Sequence, residues 1–122
     1  MVRVLVIDDD PSIVNIVCIL LRRAGYHCET ATTAVDGIEM AEEKKFDAVI
    51  VDMRMPGVNG LEVLKAIRNT PIIAMSGAPA DEETDFEILA ASLGGVAFLY
   101  KPFSPAQLVE VVSTAVGTPG AH

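Results

Sequence analysis

Basic residues are scarce. Nine Lys and Arg face 17 Asp and Glu, for a formal charge of −8. A surface that binds nucleic acid needs clustered cations to displace counterions, so this balance argues against one. It equally disfavours docking to an anionic membrane leaflet. Cysteine is also rare. Cys18 and Cys28 are the only two, without CxxC spacing and without a neighbouring His. A disulfide scaffold is smaller and richer in Cys, so both are read as buried, reduced small hydrophobes of a cytoplasmic protein. Long apolar runs are absent. The most apolar stretch, Ile13 to Leu21, contains Asn15 and is too short to span a bilayer. The start, Met1-Val2-Arg3 and a brief apolar run ended by three aspartates, does not have the form of a signal peptide. No internal repeat, linker or low-complexity segment interrupts the chain.

What is present is one domain's worth of patterned sequence, 122 residues with 51% hydrophobic side chains. Short β-branched runs at Val2–Ile7, Tyr26–Ala31, Asp47–Val51, Pro71–Met75 and Val96–Tyr100 lack strict alternation. That suits strands buried on both faces of a sheet. Between them lie segments with helical spacing. Ile13, Ile16, Val17, Leu20, Leu21 and Ala24 make one apolar stripe, and Leu108, Val111, Val112, Ala115 and Val116 another. Three weaker helices are marked by Val35, Ile38 and Ala41, by Leu61, Leu64 and Ile67, and by Phe86, Leu89, Ala90 and Leu93.

Capping signals agree. Asp10-Pro11 reads as an N-cap followed by Pro at the first helical position. Ser104 to Gln107 has capping-box spacing. Gly25 follows the first helix as a C-terminal stop. β-α repeated five times predicts a parallel sheet with right-handed crossovers and helices on both faces. Residues 1–117 form that domain, and 118–122 read as a short frayed tail.

In open α/β sheets, ligands bind beyond the C-terminal ends of the strands. Asp8 and Asp9 follow the first strand, Asp52 the third, Ser76 the fourth and Lys101 the fifth. If the strands take the 2-1-3-4-5 order of doubly wound sheets, the three acids meet at the topological switch point. Crowded carboxylates repel one another unless a cation joins them. An all-oxygen acidic pocket suits Mg²⁺, which also accepts a phosphate oxygen. A carboxylate there can attack phosphorus. Lys101 would bring a compact positive charge, and Ser76 a hydroxyl donor. Taken singly, each residue has a plainer reading as a cap, a turn or a solvated lysine. Asp10 is given that plainer role, as a cap. Glu42 to Lys45 read as a solvated helix end, Asp81 to Asp85 as a helix N-terminus, and His27 as lying away from the crevice.

Four motifs in order carry a family resemblance over nearly the whole chain. They are Val-Ile-Asp-Asp-Asp-Pro at 6–11, Val-Asp-Met-Arg-Met-Pro-Gly-Val-Asn-Gly at 51–60, Ala-Met-Ser-Gly at 74–77, and Phe-Leu-Tyr-Lys-Pro-Phe at 98–103. Together they resemble the receiver domain of bacterial two-component response regulators. The resemblance implies a flavodoxin-like doubly wound (βα)5 fold with sheet order 2-1-3-4-5. It makes Asp52 the phosphorylation site. Asp9, Asp52 and the Arg54 backbone carbonyl would ligate Mg²⁺, with Mn²⁺ as the alternative ion, and Asp8 would act through a bound water. Ser76 and Phe98 would be the switch pair, and the Lys101–Pro102 bond would be cis. Arg54 and Ala78 stand where the family tunes loss of the phosphoryl group.

The implied partners are a sensor histidine kinase or histidine phosphotransfer protein as donor and a downstream protein target, with homodimerisation on phosphorylation as a family habit. Readout would use the helix around Phe86–Leu93, the last strand and the last helix. No output domain lies within these 122 residues, which fits a single-domain regulator or an excised receiver alike. Three rivals are weaker. An aspartyl-phosphate hydrolase of the haloacid dehalogenase kind needs an acid where Arg54 stands. A flavin binder needs a phosphate-cradling loop where this chain has acids. A pseudo-receiver acting only as an interaction module would have a degraded acidic pocket.

Overall fold

The computed structural model describes residues 1–53, 60–67, 69–76 and 96–117. In chain order these form β1 (Arg3–Ile7), α1 (Pro11–Arg23), β2 (His27–Ala31), α2 (Ala34–Glu43), β3 (Ala48–Asp52), α3 (Gly60–Ala66), β4 (Ile72–Ser76), β5 (Val96–Tyr100) and α4 (Pro105–Val116). The strands pair in parallel in the order β2-β1-β3-β4-β5, which is the order the family resemblance implied. The helix expected around Phe86–Leu93 and the tail at 118–122 lie outside the described residues.

Local chemistry sets the element ends. The Asp10 side chain accepts the Ser12 N–H at 2.9 Å, with Pro11 at the first helical position of α1. Gly25 terminates α1 at φ 95, a left-handed conformation that glycine adopts without steric cost. Ser104 and Gln107 form a reciprocal capping box on α4. Thr33 caps α2 by accepting from the Asp36 N–H at 3.1 Å, a signal the sequence reading did not use. Four strands start one residue later than expected, and two of them also end one residue later. Asp52 and Ser76 are the last residues of β3 and β4 rather than the first residues after them.

The sheet separates two apolar clusters, as expected for strands buried on both faces. Leu5, Ile7, Val49, Val51 and Ala74 face α2 and α3, while Val4, Val6, Ile50, Ile73 and Met75 face α1 and α4. Every residue of β3 is buried.

The expectation of unpaired thiols is overturned. Cys18 of α1 and Cys28 of β2 are joined as a disulfide with a Cα–Cα distance of 5.6 Å. The turn at Gly25 folds β2 back beneath α1, so positions ten apart in sequence come face to face. Their burial is as read, at 4% and 1% exposure. Glu42 to Lys45 are exposed, as read, and Lys44 also makes a surface ion pair. Lys44 Nζ lies 2.6 Å from Glu29 Oε1.

Candidate functional site

The register of β1 against β3 builds the site. Ile7 pairs with Val51, so Asp8 and Asp52 are the next residues along each strand direction. Asp52 in turn pairs with Met75 of β4, and Ser76 with Tyr100 of β5. Asp8, Asp9 and Asp52 each offer a carboxylate oxygen within 4.8 Å of the others. Asp8 is fully buried, Asp52 nearly so at 7% exposure, and Asp9 is exposed.

Asp8 is held from three sides. Its backbone N–H donates to the Ala31 carbonyl at 3.1 Å, tying the end of β1 to the end of β2. Its Oδ1 accepts the Asp10 N–H at 2.9 Å, and its Oδ2 accepts from Lys101 Nζ at 3.3 Å. Burial raises the Asp8 pKa above its ordinary value, and the charge of Asp52 adds to the rise; the Asp10 N–H and Lys101 oppose it. Lys101 Nζ also lies 3.6 Å from Asp52 Oδ2. One ammonium therefore sits against two carboxylates and offsets the repulsion between them.

Phe98 is half-buried against the cluster under α2 and α3, and its ring stacks on Tyr100 with centroids 6.3 Å apart and 11° between planes. The Lys101–Pro102 peptide bond is cis. Ser76 is placed by its backbone at the end of β4, beside β5. Arg54, Ala78 and the turn residues Met55 to Asn59 lie outside the described residues. The structure thus brings Asp8, Asp9, Asp52 and Lys101 to one pole, at the junction of β1 and β3. His27 is exposed on β2, where it lies 3.3 Å from Glu29. Sequence reasoning missed the Ala31 carbonyl as an anchor for Asp8. A backbone acceptor carries no side-chain signature, and only the β1–β2 register would have exposed it.

An acidic trio with one lysine at the carboxyl edge of a 2-1-3-4-5 sheet agrees with the family pattern, and the comparison with known families decides it. The family model of the response regulator receiver domain matches residues 4–113. The chain belongs to that family. Among curated relatives, the receiver is similar to the alkaline phosphatase synthesis transcriptional regulatory protein PhoP of Bacillus subtilis, with 34% identity over 110 residues. That match covers 87% of this chain and 45% of the relative. It is also similar to the DNA-binding response regulator MtrA of Mycolicibacterium smegmatis, at 31% identity, covering 88% of this chain and 47% of the relative. The receiver spans about half the length of these curated relatives. Among solved structures, the chemotaxis protein CheY4 of Vibrio cholerae superposes with a TM-score of 0.84 at 31% identity, covering 94% of this chain and 98% of that one. A response regulator receiver domain protein of Clostridium thermocellum gives 0.87 at 28% identity, covering 99% and 98%. Receiver domains of response regulators are not classical enzymes. No described helix is long and apolar enough to cross a membrane.

Proposed function

We propose that Asp52 is the phosphoacceptor of this receiver and that its phosphorylation switches the chain between two partner-binding states. The observation that carries the proposal is the convergence of Asp8, Asp9 and Asp52, with the Lys101 ammonium against Asp8 and Asp52. The three carboxylates, two buried and one exposed, fit a hard divalent cation. Asp9, Asp52 and the Arg54 carbonyl would hold Mg²⁺ or Mn²⁺, with Asp8 acting through a water. When bound, the ion would neutralise charge on the phosphoryl oxygens.

The chain's own groups do the rest. An Asp52 carboxylate oxygen attacks the phosphorus of a phosphohistidine on a sensor kinase or phosphotransfer protein. The O–P bond forms as the P–N bond breaks, and the electron pair leaves with the imidazole nitrogen, which takes up a proton. Lys101 leaves its place between Asp8 and Asp52 to meet a phosphoryl oxygen. Slow attack of water on phosphorus later restores the carboxylate and releases inorganic phosphate. The receiver in this way catalyses its own loading and unloading.

Phosphorylation biases a pre-existing equilibrium through the Ser76 hydroxyl and the Phe98 ring. The changed surface then meets a downstream protein, or a second copy of the chain. Its charge of −8 leaves this region itself unsuited to direct contact with nucleic acid. The protein works in the cytoplasm, where phosphohistidine donors are made.

The test is incubation with Mg²⁺ and acetyl phosphate, followed by intact-mass spectrometry beside Asp52→Asn. A single phosphoryl adduct that requires Mg²⁺ and is missing from the variant is the expected result. No adduct on the wild type, with Mg²⁺ binding verified separately, overturns the proposal in favour of an interaction-only module.

A further inference from the structure

The phosphoryl chemistry uses neither cysteine. Cys18 and Cys28 are nonetheless the only two in the chain, and the fold places each against the other. Both lie in the apolar cluster beneath α1, well packed among Val4, Val14, Val17 and Leu21. Their Cα separation of 5.6 Å falls in the range that a disulfide bridges without backbone movement. Arg22 Nη2 donates to the Cys28 carbonyl at 3.2 Å, so a contact that does not involve sulfur also holds α1 against β2. The two sulfurs are kept in register by the fold and not only by their own bond.

We propose that Cys18 and Cys28 form a reversible dithiol–disulfide site, open to exchange with small-molecule disulfides, whose oxidised form clamps α1 to β2. Access comes from the place of β2 in the sheet. Among the described residues β2 is an edge strand laddered to β1 alone, and exchange takes place through opening of this edge, short of global unfolding. The clamp has a position that matters. Its two elements are the ones that hold the acidic loop, since Ala31 of β2 accepts the Asp8 N–H and Asp10 caps α1.

The exchange balances without help from the phosphoacceptor site. A cysteine thiolate attacks one sulfur of the oxidant disulfide, forming a mixed disulfide and expelling one thiol. The second cysteine thiolate attacks the protein sulfur of that mixed disulfide and expels the other. The protein dithiol is oxidised, the small disulfide is reduced, and the two protons end on the two released thiols.

The experiment uses the wild-type chain in native buffer, equilibrated with glutathione at ratios from fully reduced to fully oxidised, acid-quenched, alkylated and weighed intact. The expected result is conversion from a species carrying two alkyl groups to one carrying none and lighter by two hydrogens. Closure of so short a loop should raise Tm by about 5–10 °C on oxidation. Cys18→Ala/Cys28→Ala should show a Tm that no longer responds to the ratio. Two alkyl groups at every ratio, no alkyl groups at any ratio, accumulation of glutathione adducts instead of the internal bond, or a wild-type Tm indifferent to the ratio would each overturn the proposal. None of these readouts depends on phosphorylation.

Discussion

Lys101 Nζ donates a 3.3 Å hydrogen bond to Oδ2 of Asp8, joining the loop after β5 to the end of β1 across 93 positions. Asp8 is the most deeply buried charge of the site, and the same ammonium reaches Asp52 at 3.6 Å. Removing the cation leaves a buried carboxylate short of one donor, which costs more than the hydrogen bond contributes. Lys101→Met should therefore lose about 1–3 kcal/mol of stability at neutral pH. Millimolar Mg²⁺ should restore part of the loss by supplying another positive charge to the acids. Urea unfolding with and without Mg²⁺ checks this, followed by circular dichroism because the chain has no tryptophan. Equal midpoints for both proteins would show that the ion pair contributes nothing.

The raised pKa of Asp8 gives the site a pH response of definite sign. Burial chiefly, and then the charge of Asp52, favour the protonated form in the folded protein. The folded state thus holds this proton more tightly than the unfolded state does, and ionised Asp8 costs stability at neutral pH that is recovered as pH falls through its folded value. Cation binding must displace the proton. Mg²⁺ affinity should decline on acidification at a pH higher than ordinary aspartates would require. Calorimetric titrations from neutral to mid-acid pH measure it. Asp8→Asn should bind Mg²⁺ more weakly and with a flatter pH profile, and an equally steep profile in the variant would assign the proton elsewhere.

These two responses start from residues that the sequence already marked. Asp8, Asp9, Asp52 and Lys101 were legible because each ends or follows a β-branched run, and a parallel sheet gathers such ends at one edge. The caps at Asp10 and Ser104 were legible because capping is local, decided within three residues. What escaped was tertiary. Cys18 and Cys28 look like two small hydrophobes until the turn at Gly25 lays β2 under α1. Lys44 is exposed as read, but its ion pair with Glu29 at 2.6 Å forms only once β2 and α2 are brought together. The Ala31 carbonyl gives no residue-type signal at all. One-residue differences at Asp52 and Ser76 arose because a strand's last ladder bond depends on its neighbour, not on its own composition.

Glu29 gives the opposite pH response to Asp8. Lys44 chiefly, then Arg3, hold its carboxyl down at about 2, from an ordinary 4.5. A lowered carboxyl pKa stabilises the fold above the unfolded value, and that contribution is lost as pH falls from about 4.5 to about 2. The partner cations are 39% and 46% exposed at their side chains, so solvent screening reduces the effect. Glu29→Gln should cost on the order of 1 kcal/mol at neutral pH. The gap between the two proteins should close as the acid limb is descended. Unfolding midpoints measured down that limb decide the matter, and a gap that persists at the acid end would place the contribution outside Glu29 titration.

Gly37 presents the last test, because two opposing effects meet there. It lies within α2, where replacing glycine by alanine ordinarily stabilises by about 1 kcal/mol. Here α2 packs directly on β1, and a Cβ at position 37 would fall 2.7 Å from Cγ1 and 3.1 Å from Cγ2 of Ile7. Ile7 is fully buried, so its side chain must give way within a packed core. Overpacking of this kind costs about 1–3 kcal/mol, which outweighs the helical gain. Gly37→Ala should therefore destabilise the chain, and Ile7→Ala, which removes Cγ1, Cγ2 and the still nearer Cδ1, should relieve the clash when added to it. In a double-mutant cycle the pair should be more stable than the sum of the single changes predicts. Simple additivity, or a stabilising Gly37→Ala, would mean that α2 rises off β1 freely and that the close approach of glycine to Ile7 does not hold the end of β1 in place.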